Sequence, residues 1–283
     1  PGAAFTTIAL AGQPNVGKST IFTLLTGLTQ YVSNWPGKTC EHRCGVYRHD
    51  GQAVRIVDLP GTYGLTANSP DERIARDFIL HERPDVVAVI ADASALERNL
   101  YLLAELLYLP VRVVLGVNMT DVARRQGVRV ETHVLEAALG LPVVPMVATR
   151  NEGVRELIEV ALRVSNGWMC APNRPEIRAD HRAVMDEIQL KIAGDVPPGY
   201  PVDWTALKLL EGDGEITAAM RDRLGDRWEA VHTILMQHED AILAVAGGRY
   251  DWIGRMVRAA LIEPRAGQVL LTQRLDRAAT HPL

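Results

Sequence analysis

The feature that most constrains the fold of this 283-residue chain is the segment Gly12-Gln-Pro-Asn-Val-Gly17-Lys18-Ser19. It follows a β-rich run at Thr6–Ala11 and opens a helical pattern at Lys18–Leu28, so a Walker A pattern stands between a strand and a helix. In that setting backbone N–H groups turn inward around phosphate oxygens, and the helix N-terminus adds the positive end of its dipole. A glycine-rich turn without a ligand is the alternative, and the full match in its expected context disfavours it.

The first half of the chain alternates β-rich runs with helical patterns, which predicts a mostly parallel sheet covered on both faces. Further strands are predicted at Val46–His49, Ala53–Asp58, Val86–Ala91, Arg112–Asn118 and Val143–Met146, with a tight turn at Asp50-Gly51. Further helices are predicted at Asp71–His81, Ala95–Leu107, Thr132–Leu139 and Val154–Val164.

The character of the sequence changes after Gly167. Cys170 to Pro175 is a plausible linker with two prolines, and no β-rich run follows it. Amphipathic helices are predicted at Glu176–Ala193, Trp204–Leu210, Ile216–Arg223, Trp228–Ala246, Trp252–Ala260 and Gln268–Ala279. We therefore expect an α/β domain at 1–170 and a smaller all-α domain at 171–283. The four tryptophans at or beyond the boundary, Trp168, Trp204, Trp228 and Trp252, are expected to fill the helical core or its contact with the α/β domain.

Composition excludes several classes of function. The net charge is −4, so no basic field argues for nucleic acid as a partner. The most apolar stretch, 102–119, is broken by two charged residues and a proline, so no membrane span is predicted and this part of the protein is expected to be soluble. Three cysteines are too few for a disulfide framework and indicate a reducing cytoplasm.

Two further motifs complete a nucleotide site. Asp58-Leu-Pro-Gly61 ends a predicted strand. The Asp58 carboxylate there can hold a water molecule on Mg²⁺, and the Gly61 N–H can contact the γ-phosphate. Asn118-Met-Thr-Asp121 ends another strand, and the Asp121 carboxylate can accept from the N1–H and 2-amino groups of guanine, a pattern that adenine does not offer. Each motif alone could be an ordinary turn or helix cap, but in this order they predict GTP or GDP as the ligand.

Side-chain chemistry gives the predicted site residues their roles. Lys18 can reach the β- and γ-phosphates, and the Ser19 hydroxyl can ligate Mg²⁺. The residues predicted to contact the nucleotide are Gly12, Gln13, Pro14, Asn15, Val16, Gly17, Lys18, Ser19 and Thr20 in the first motif, Asp58, Leu59, Pro60 and Gly61 in the second, and Asn118, Met119, Asp121, Val147, Ala148 and Thr149 around the base.

Over residues 6–165 these motifs resemble the Ras-like, translation-factor class of GTPases. The segment Tyr31–Thr39 resembles the first switch of the bacterial ferrous iron transport protein B family, and the helical domain is similar to the GDP-dissociation-inhibitor-like spacer of that family. The resemblance implies a Ras-like P-loop G domain and a chain that continues into an inner-membrane channel absent here, with this part in the cytoplasm and Gln268–Ala279 as a connecting helix. The implied partners are that channel domain and small cytosolic accessory proteins of iron uptake; a homo-oligomer is left open.

The resemblance also implies catalytic roles. Thr39 matches the switch threonine that binds Mg²⁺ and the γ-phosphate. Asn15 matches an asparagine that ligates K⁺, with backbone carbonyls near Asn34 and Trp35 completing the shell, so the expected catalytic set is Lys18, Thr39, Asn15 and Gly61. A monovalent cation there can neutralise charge in the transition state. Because no glutamine stands between Gly61 and Ala75, we expect slow intrinsic GTP hydrolysis that K⁺ stimulates.

One departure and several alternatives complete the prediction. Related proteins often carry serine at the position of Ala148, so we expect a looser base loop and faster GDP release here. A metal site at Cys40, His42 and Cys44 has unusual spacing and lacks an evident fourth ligand. The alternative functions are a soluble GTPase in tRNA modification or ribosome assembly, and a nucleotide sensor whose hydrolysis is incidental.

Overall fold

The structure is a computed structural model, and it describes residues 5–27, 30–34, 41–66, 69–168, 170–177 and 179–262. The strands are β1 Thr6–Gly12, β2 Gln30–Asn34, β3 Glu41–His49, β4 Gln52–Asp58, β5 Val86–Asp92, β6 Val113–Asn118, β7 Arg129–Val130, β8 Val143–Pro145 and β9 Leu261–Ile262. The helices are α1 Lys18–Thr26, α2 Pro70–Glu82, α3 Leu96–Leu106, α4 Thr120–Arg125, α5 Thr132–Leu139, α6 Val154–Ser165, α7 Ala179–Ile192, α8 Val202–Leu210, α9 Gly214–Leu224, α10 Trp228–Gln237 and α11 Ala241–Ala260.

Seven strands form one sheet in the order β2-β3-β4-β1-β5-β6-β8. The pairs β4–β1, β1–β5, β5–β6 and β6–β8 are parallel, and the β2–β3–β4 edge is antiparallel. The central strand β1 is buried from Ile8 onward, because it has a strand on each side and helices over each face. The predicted mostly parallel sheet is therefore confirmed.

Two apolar clusters cover the two faces of the sheet. On one face, α1 and α6 contribute Phe22 and Leu157 against Ile8 of β1. On the other, the cluster under α2, α3 and α5 continues without a break into the helical part, where it includes Trp204 and Trp252. Helix α11 packs against both α3 and α5. The helices after the linker thus share a core with one face of the α/β part.

The helical half follows the sequence prediction with two corrections. Helix Trp228–Ala246 was predicted to end before Gly247-Gly248, but the break falls earlier, at 238–240, and α11 runs through both glycines. A Cβ at Gly248 would lie 3.0 Å from the carbonyl oxygen of Glu176, so this glycine permits a close approach of the linker to α11. Trp204, Trp228 and Trp252 are buried as predicted, whereas Trp168 is 44% exposed and lies under the guanidinium of Arg163.

Several elements were not predicted. They are the strand β2 inside the expected switch segment, the first five residues of β3, the short helix α4, and the antiparallel pair β7–β9 that joins the two parts of the chain. The predicted helix Gln268–Ala279 lies outside the described residues. Within the described ranges, none of the helices combines the length and the apolar character needed to cross a bilayer.

Candidate functional site

The loop between β1 and α1 has the backbone shape of a phosphate-binding turn. Asn15 and Gly17 both have positive φ, 67° and 89°, and Gly17 is the N-cap of α1. A Cβ at Gly17 would lie 2.4 Å from Nδ2 of Asn118, and one at Gly12 would lie 2.6 Å from the carbonyl oxygen of Ile90. Both glycines are thus required by close packing as well as by the turn.

Lys18 lies in the middle of the candidate site. The residue is 8% exposed, and its Nζ donates to Oδ1 of Asp58 at 2.5 Å and to the carbonyl oxygen of Leu59. Ser19 and Thr20, which follow it in the first turn of α1, are exposed. The ammonium, one carboxylate and two hydroxyl side chains therefore gather at the N-terminus of one helix, as the motif spacing predicts.

The segment after β4 packs directly on the phosphate loop. The Leu59 N–H donates to the carbonyl of Leu10, and the Thr62 N–H donates to the carbonyl of Gly12, both at 3.1 Å. A Cβ at Gly61 would lie 3.2 Å from the backbone of Pro14, so only glycine fits the contact without displacement. The two motifs that the sequence places far apart thus form two sides of one cleft.

Asn118 joins the phosphate loop to the base loop. Its Nδ2 donates to the carbonyl of Val16 at 2.8 Å, and its Oδ1 accepts from the Ala148 N–H at 2.9 Å. The residue is 2% exposed, so both bonds are shielded from water. The sequence pattern predicts that Asn118 belongs to a base motif, but the spacing alone does not reveal that one amide connects the two loops.

Asp121, the aspartate predicted to bind the base, lies three residues after Asn118 in the chain. Asp121 belongs to α4, whose N-cap Met119 has φ 60°, and Thr120 Oγ1 donates to the carbonyl of Met146 at 3.1 Å. The Asp121 carboxylate, 21% exposed, pairs with Arg125 at 3.1 Å and lies 3.8 Å from Arg150. It is therefore positioned by the helix and oriented by two exposed guanidinium groups.

The loop that follows β8 closes this side of the cleft. Ala148 is buried, Thr149 is exposed, and Val147 pairs with Glu152 in an isolated bridge. The loop is thus held by a backbone bridge and by the Asn118 amide.

Other predicted residues have different positions. Gln13 directs its side chain out of the phosphate loop, since its Nε2 donates to the carbonyl of Arg98 at 2.6 Å; only its backbone can serve a nucleotide. Thr39, Trp35 and Cys40 lie outside the described residues, as does the side chain of His42. Cys44 is buried, and burial raises the pKa of its thiol, with the Arg55 guanidinium 3.9 Å away acting in the opposite direction. A buried, protonated thiol is a poor metal ligand.

A buried ionic cluster connects the segment after Gly61 to the helical part. Its members are Glu105 of α3, Lys208 of α8, Glu211 at the end of α8, and Arg249 of α11, and we call it the Glu105 cluster. Lys208 Nζ lies 3.0 Å from Glu105 and 2.7 Å from Glu211, and Arg249 Nη1 lies 3.1 Å from Glu105.

Two residues of the segment after Gly61 form hydrogen bonds with the Glu105 cluster. The Leu65 N–H donates to Glu105, and Lys208 Nζ donates to Thr66 Oγ1 at 3.0 Å. The cluster was not predicted, although a glutamate in the most apolar stretch and a lysine in an apolar helix were its signals.

The charges of the Glu105 cluster hold one another in their ionised forms. Burial alone would raise the pKa of Glu105, but Lys208, Arg249 and the Leu65 N–H together lower it below its usual range. Burial alone would lower the pKa of Lys208, and the two carboxylates raise it instead. Full pairing is what makes such a set of charges tolerable inside a protein.

A cavity of about 650 Å³ lies beside this connection. It is bordered by Tyr63 and Thr66 from the segment after Gly61, by Tyr101 of α3, and by Tyr250 and Val257 of α11. The segment therefore has the cavity on one side and the Glu105 cluster on the other, with Leu65 buried in the core.

Comparison with known proteins gives two family matches. Residues 6–161 match the family described as ferrous iron transport protein B, and residues 180–262 match the FeoB cytosolic helical domain. The Fe(2+) transporter FeoB of Escherichia coli O157:H7 is 36% identical over 254 residues. That alignment covers 87% of this chain and 32% of the relative, so the chain spans about a third of the length of the curated relatives it matches.

Solved structures agree over both halves of the chain. A GDP-bound mutant of S. thermophilus NFeoB is 32% identical and has a TM-score of 0.81, covering 91% of this chain and 100% of its own. The cytosolic domain of the T. maritima FeoB iron transporter in a GDP form is 30% identical, with a TM-score of 0.79 and coverage of 92% and 100%.

Proposed function

This chain belongs to the ferrous iron transport protein B family, and from that premise we propose that it binds and hydrolyses GTP as the cytosolic part of a membrane Fe²⁺ transporter. The observation that carries the proposal is the convergence of Lys18, Asp58, Gly61 and Asn118 on one cleft. GDP in related structures supports a guanine nucleotide there. The alternative, a soluble GTPase of tRNA modification or ribosome assembly, is not favoured, because both halves match the transporter family.

The residues of the cleft divide the chemistry of hydrolysis between them. The Lys18 ammonium and the N–H groups at the start of α1 bind the β- and γ-phosphates and stabilise the charge that develops on them. The Gly61 N–H contacts the γ-phosphate, and Asp121 selects guanine over adenine because its carboxylate needs two donors. Water then attacks the γ-phosphorus in line with the bond from that atom to the β–γ bridging oxygen. That bond breaks as the new P–O bond forms, GDP leaves with the bridging oxygen, and the proton of the water passes to the released phosphate or to solvent.

The donor set at the start of α1 fits a Mg²⁺ ion. Ser19 offers an exposed hydroxyl, and the Asp58 carboxylate lies 2.5 Å from Lys18 Nζ at the same helix end, so oxygen ligands and the phosphate-binding group are neighbours. Ser19, Asp58 and, from the segment outside the description, Thr39 are the proposed Mg²⁺ residues. When bound, the ion neutralises charge on the phosphate oxygens.

We further propose that Asn15 ligates K⁺ and that turnover without it is slow. Asn15 is exposed in the phosphate loop, in a left-handed backbone conformation, so its side chain is open to solvent. The positions after Gly61 hold no glutamine: Thr62 is buried, and Tyr63 lies under the guanidinium of Arg98 at 4.6 Å. No glutamine is therefore present at these positions to orient the attacking water, and its positioning is left to the backbone, Mg²⁺ and K⁺.

We also propose a position for the domain boundary and a route that couples the nucleotide state to transport. We place the boundary at 170/171, between the segments that match the two family descriptions. The helical domain then links the nucleotide state to a channel domain in the bacterial inner membrane, and this part faces the cytoplasm. The Glu105 cluster supports this coupling, because it bonds Leu65 and Thr66 to α8 and α11. Small accessory proteins of iron uptake are further proposed partners.

The test is hydrolysis of GTP by the purified chain with Mg²⁺ in KCl and in NaCl. We expect faster release of phosphate in KCl, and Asn15→Ala is expected to make the two rates equal while GDP binding persists. Asn166→Ala, an exposed asparagine at the end of α6, is the matched control. Lys18→Ala should lower turnover by a factor on the order of 10² or more, and the exposed Lys191→Ala should not. Absence of GDP and GTP binding by folded protein would contradict the proposal.

A further inference from the structure

Three metal-ligating side chains meet in the helical domain, away from the nucleotide cleft. His181 lies near the start of α7, and His238 and Asp240 lie in the turn between α10 and α11. One ligand atom from each of the three residues lies within 4.8 Å of the other two. Helix α7 packs against α10, so the two sides of the group are held together by the core.

The three residues differ in burial in the way that a one-sided site requires. His181 is 5% exposed and forms the inner wall, His238 is half-buried, and the Asp240 side chain is 76% exposed. An ion bound between them would have protein on one side and water on the other. Such a site keeps open coordination positions for water.

The position of Asp240 supports a role other than helix capping. Asp240 is the N-cap residue of α11, where an aspartate normally accepts a hydrogen bond from an N–H of the first turn. Its side chain makes no such bond, and its Oδ2 lies 3.6 Å from Nε2 of His181 instead. The carboxylate is therefore directed at the imidazole rather than at its own helix.

The distances are close to those of a metal site. With bonds of about 2.0–2.1 Å to a tetrahedral ion, neighbouring donor atoms lie about 3.4 Å apart. The His181–Asp240 separation of 3.6 Å already matches. The rings of His181 and His238 are arranged edge-on with centroids 6.3 Å apart, and one nitrogen of each ring lies within 4.8 Å of the other.

We propose that His181, His238 and Asp240 form a binding site for one divalent first-row transition-metal ion. Two neutral imidazoles and one carboxylate carry a single negative charge, which suits a dication. Two histidines, one carboxylate and open positions are the ligand set of non-haem Fe²⁺ sites, and imidazole disfavours Mg²⁺ and Ca²⁺, which take oxygen ligands. That Fe²⁺ is the physiological occupant rests on the proposed function.

Occupancy of this site connects two elements that lead to the nucleotide cleft. The ion would fix the turn at the start of α11 to α7, and α11 carries Arg249 of the Glu105 cluster. The site therefore places the transported ion in contact with the helix that reaches the segment after Gly61.

The test uses the full chain, stripped of metal with a chelator, and Co²⁺ as a spectroscopic probe without nucleotide. We expect one Co²⁺ per chain, visible d–d bands of an N/O-ligated ion without a thiolate charge-transfer band, and a raised melting temperature. Anaerobic Fe²⁺ and Zn²⁺ should compete, with Zn²⁺ the stronger of the two, and excess Mg²⁺ should not. His238→Ala and Asp240→Ala should each lower the Co²⁺ affinity by at least about tenfold.

Matched variants separate this site from others. His232→Ala, on α10 with its ring beside Trp228, and His133→Ala, on α5, are expected to leave binding unchanged. Cys44→Ala tests the alternative trio of Cys40, His42 and Cys44. Binding that survives both His238→Ala and Asp240→Ala, or that is lost equally in His232→Ala, would overturn the proposal, and so would the absence of stoichiometric binding.

A second readout keeps this proposal separate from the nucleotide proposal. GDP binding is measured on the same samples, and His238→Ala is expected to retain it. Loss of Co²⁺ binding with intact GDP binding is the predicted pattern for the variant. A wild-type chain that binds GDP but no Co²⁺ would refute only the metal site, and one that binds Co²⁺ but no nucleotide would refute only the GTPase.

Discussion

At the residue scale, a single buried amide sets the geometry of the cleft. The Asn118 amide donates to the phosphate loop and accepts from the base loop. A Cβ on Gly17 would collide with this amide. The proposed phosphate contacts and base contacts therefore share one fixed residue. An exposed asparagine at this point would make neither bond reliably, because water would compete for both.

We predict that Asn118→Ala lowers the stability of the nucleotide-free chain as well as its affinity for GDP. The substitution removes two buried hydrogen bonds and leaves the Ala148 N–H without its acceptor, which together cost about 2–4 kcal/mol. Urea unfolding without nucleotide measures this cost. The exposed Asn166→Ala should stay within about 0.5 kcal/mol of wild type, and an equal loss in both variants would contradict the role of the buried amide.

Ala148 gives a second prediction for the same loop. A serine hydroxyl at this position can steady the base-reading Asp121, so Ala148→Ser should slow the release of GDP. Stopped-flow displacement of a fluorescent GDP analogue measures the rate. Ala137→Ser, on the exposed face of α5, is the control. Unchanged or faster release from Ala148→Ser would show that the Val147–Glu152 bridge and Asn118 already hold the loop.

At the scale of elements, the Glu105 cluster ties three helices to the segment after Gly61. Glu105 and Lys208 side chains are 1% and 0% exposed, so the free energy of the cluster depends on complete pairing. Helices α3, α8 and α11 each contribute to it, and the cavity of about 650 Å³ adjoins the same segment. A shift of the segment would therefore require the hydrogen bonds from Leu65 and Thr66 to the cluster to change.

Removal of the central cation should be strongly destabilising. Lys208→Met leaves Glu105 and Glu211 buried with only Arg249 between them, and we expect a loss of about 3–5 kcal/mol. Chemical denaturation measures it, with Lys191→Met as the control because Lys191 pairs with Glu187 at the surface. A loss as small as that of Lys191→Met would mean that water reaches the cluster.

The same cluster predicts a loss of stability in acid. The pKa of Glu105 is lowered in the folded chain, so its contribution is present above its unfolded pKa of about 4.3 and disappears as the pH falls through the lower folded value. We therefore expect the melting temperature to decrease as the pH is lowered from about 6 to about 3, the range around the unfolded pKa of a glutamate. Glu105→Gln should be less stable at neutral pH and show a flatter acid limb; an unchanged slope would contradict the assignment.

The sequence predicts elements well where periodicity and turn chemistry agree, as in β1, α1 and α5, each within two residues of its predicted ends. Prediction from the sequence fails where contact with another element determines the local structure. Strand β2 forms because β3 pairs with it, which no local pattern reveals. Gly248 looks like a helix end but serves a close contact with Glu176. The motif residues of the cleft follow from spacing, whereas the Glu105 cluster depends on which helices meet.

At the scale of the whole molecule, the nucleotide cleft and the helical domain form a connected structure. The apolar cluster on one face of the sheet extends into the helical core, and α11 contacts α3 and α5. A change at the γ-phosphate can therefore reach the helical domain through packed elements.

We predict that hydrogen exchange will differ between the GDP complex and the complex with a non-hydrolysable GTP analogue, both in the segment 59–66 and in α8 and α11. Thr66→Val removes the hydroxyl that accepts from Lys208, and it should confine the difference to 59–66. Thr233→Val is the control, since its hydroxyl bonds only within α10 among the contacts described. Differences in α8 and α11 that persist in Thr66→Val would place the coupling elsewhere.

The small strand pair β7–β9 has a mechanical consequence. Leu261 and Ile262 pair with Val130 and Arg129, and the Glu131 N–H donates to the carbonyl of Ala260 at 2.8 Å. Strand β7 begins four residues after α4, which carries Asp121. Force applied to the chain at Ile262 is thus transmitted to β7, beside α4 and the proposed base-reading Asp121, rather than to the far end of the helices, so a pull from that direction would act on the proposed guanine site.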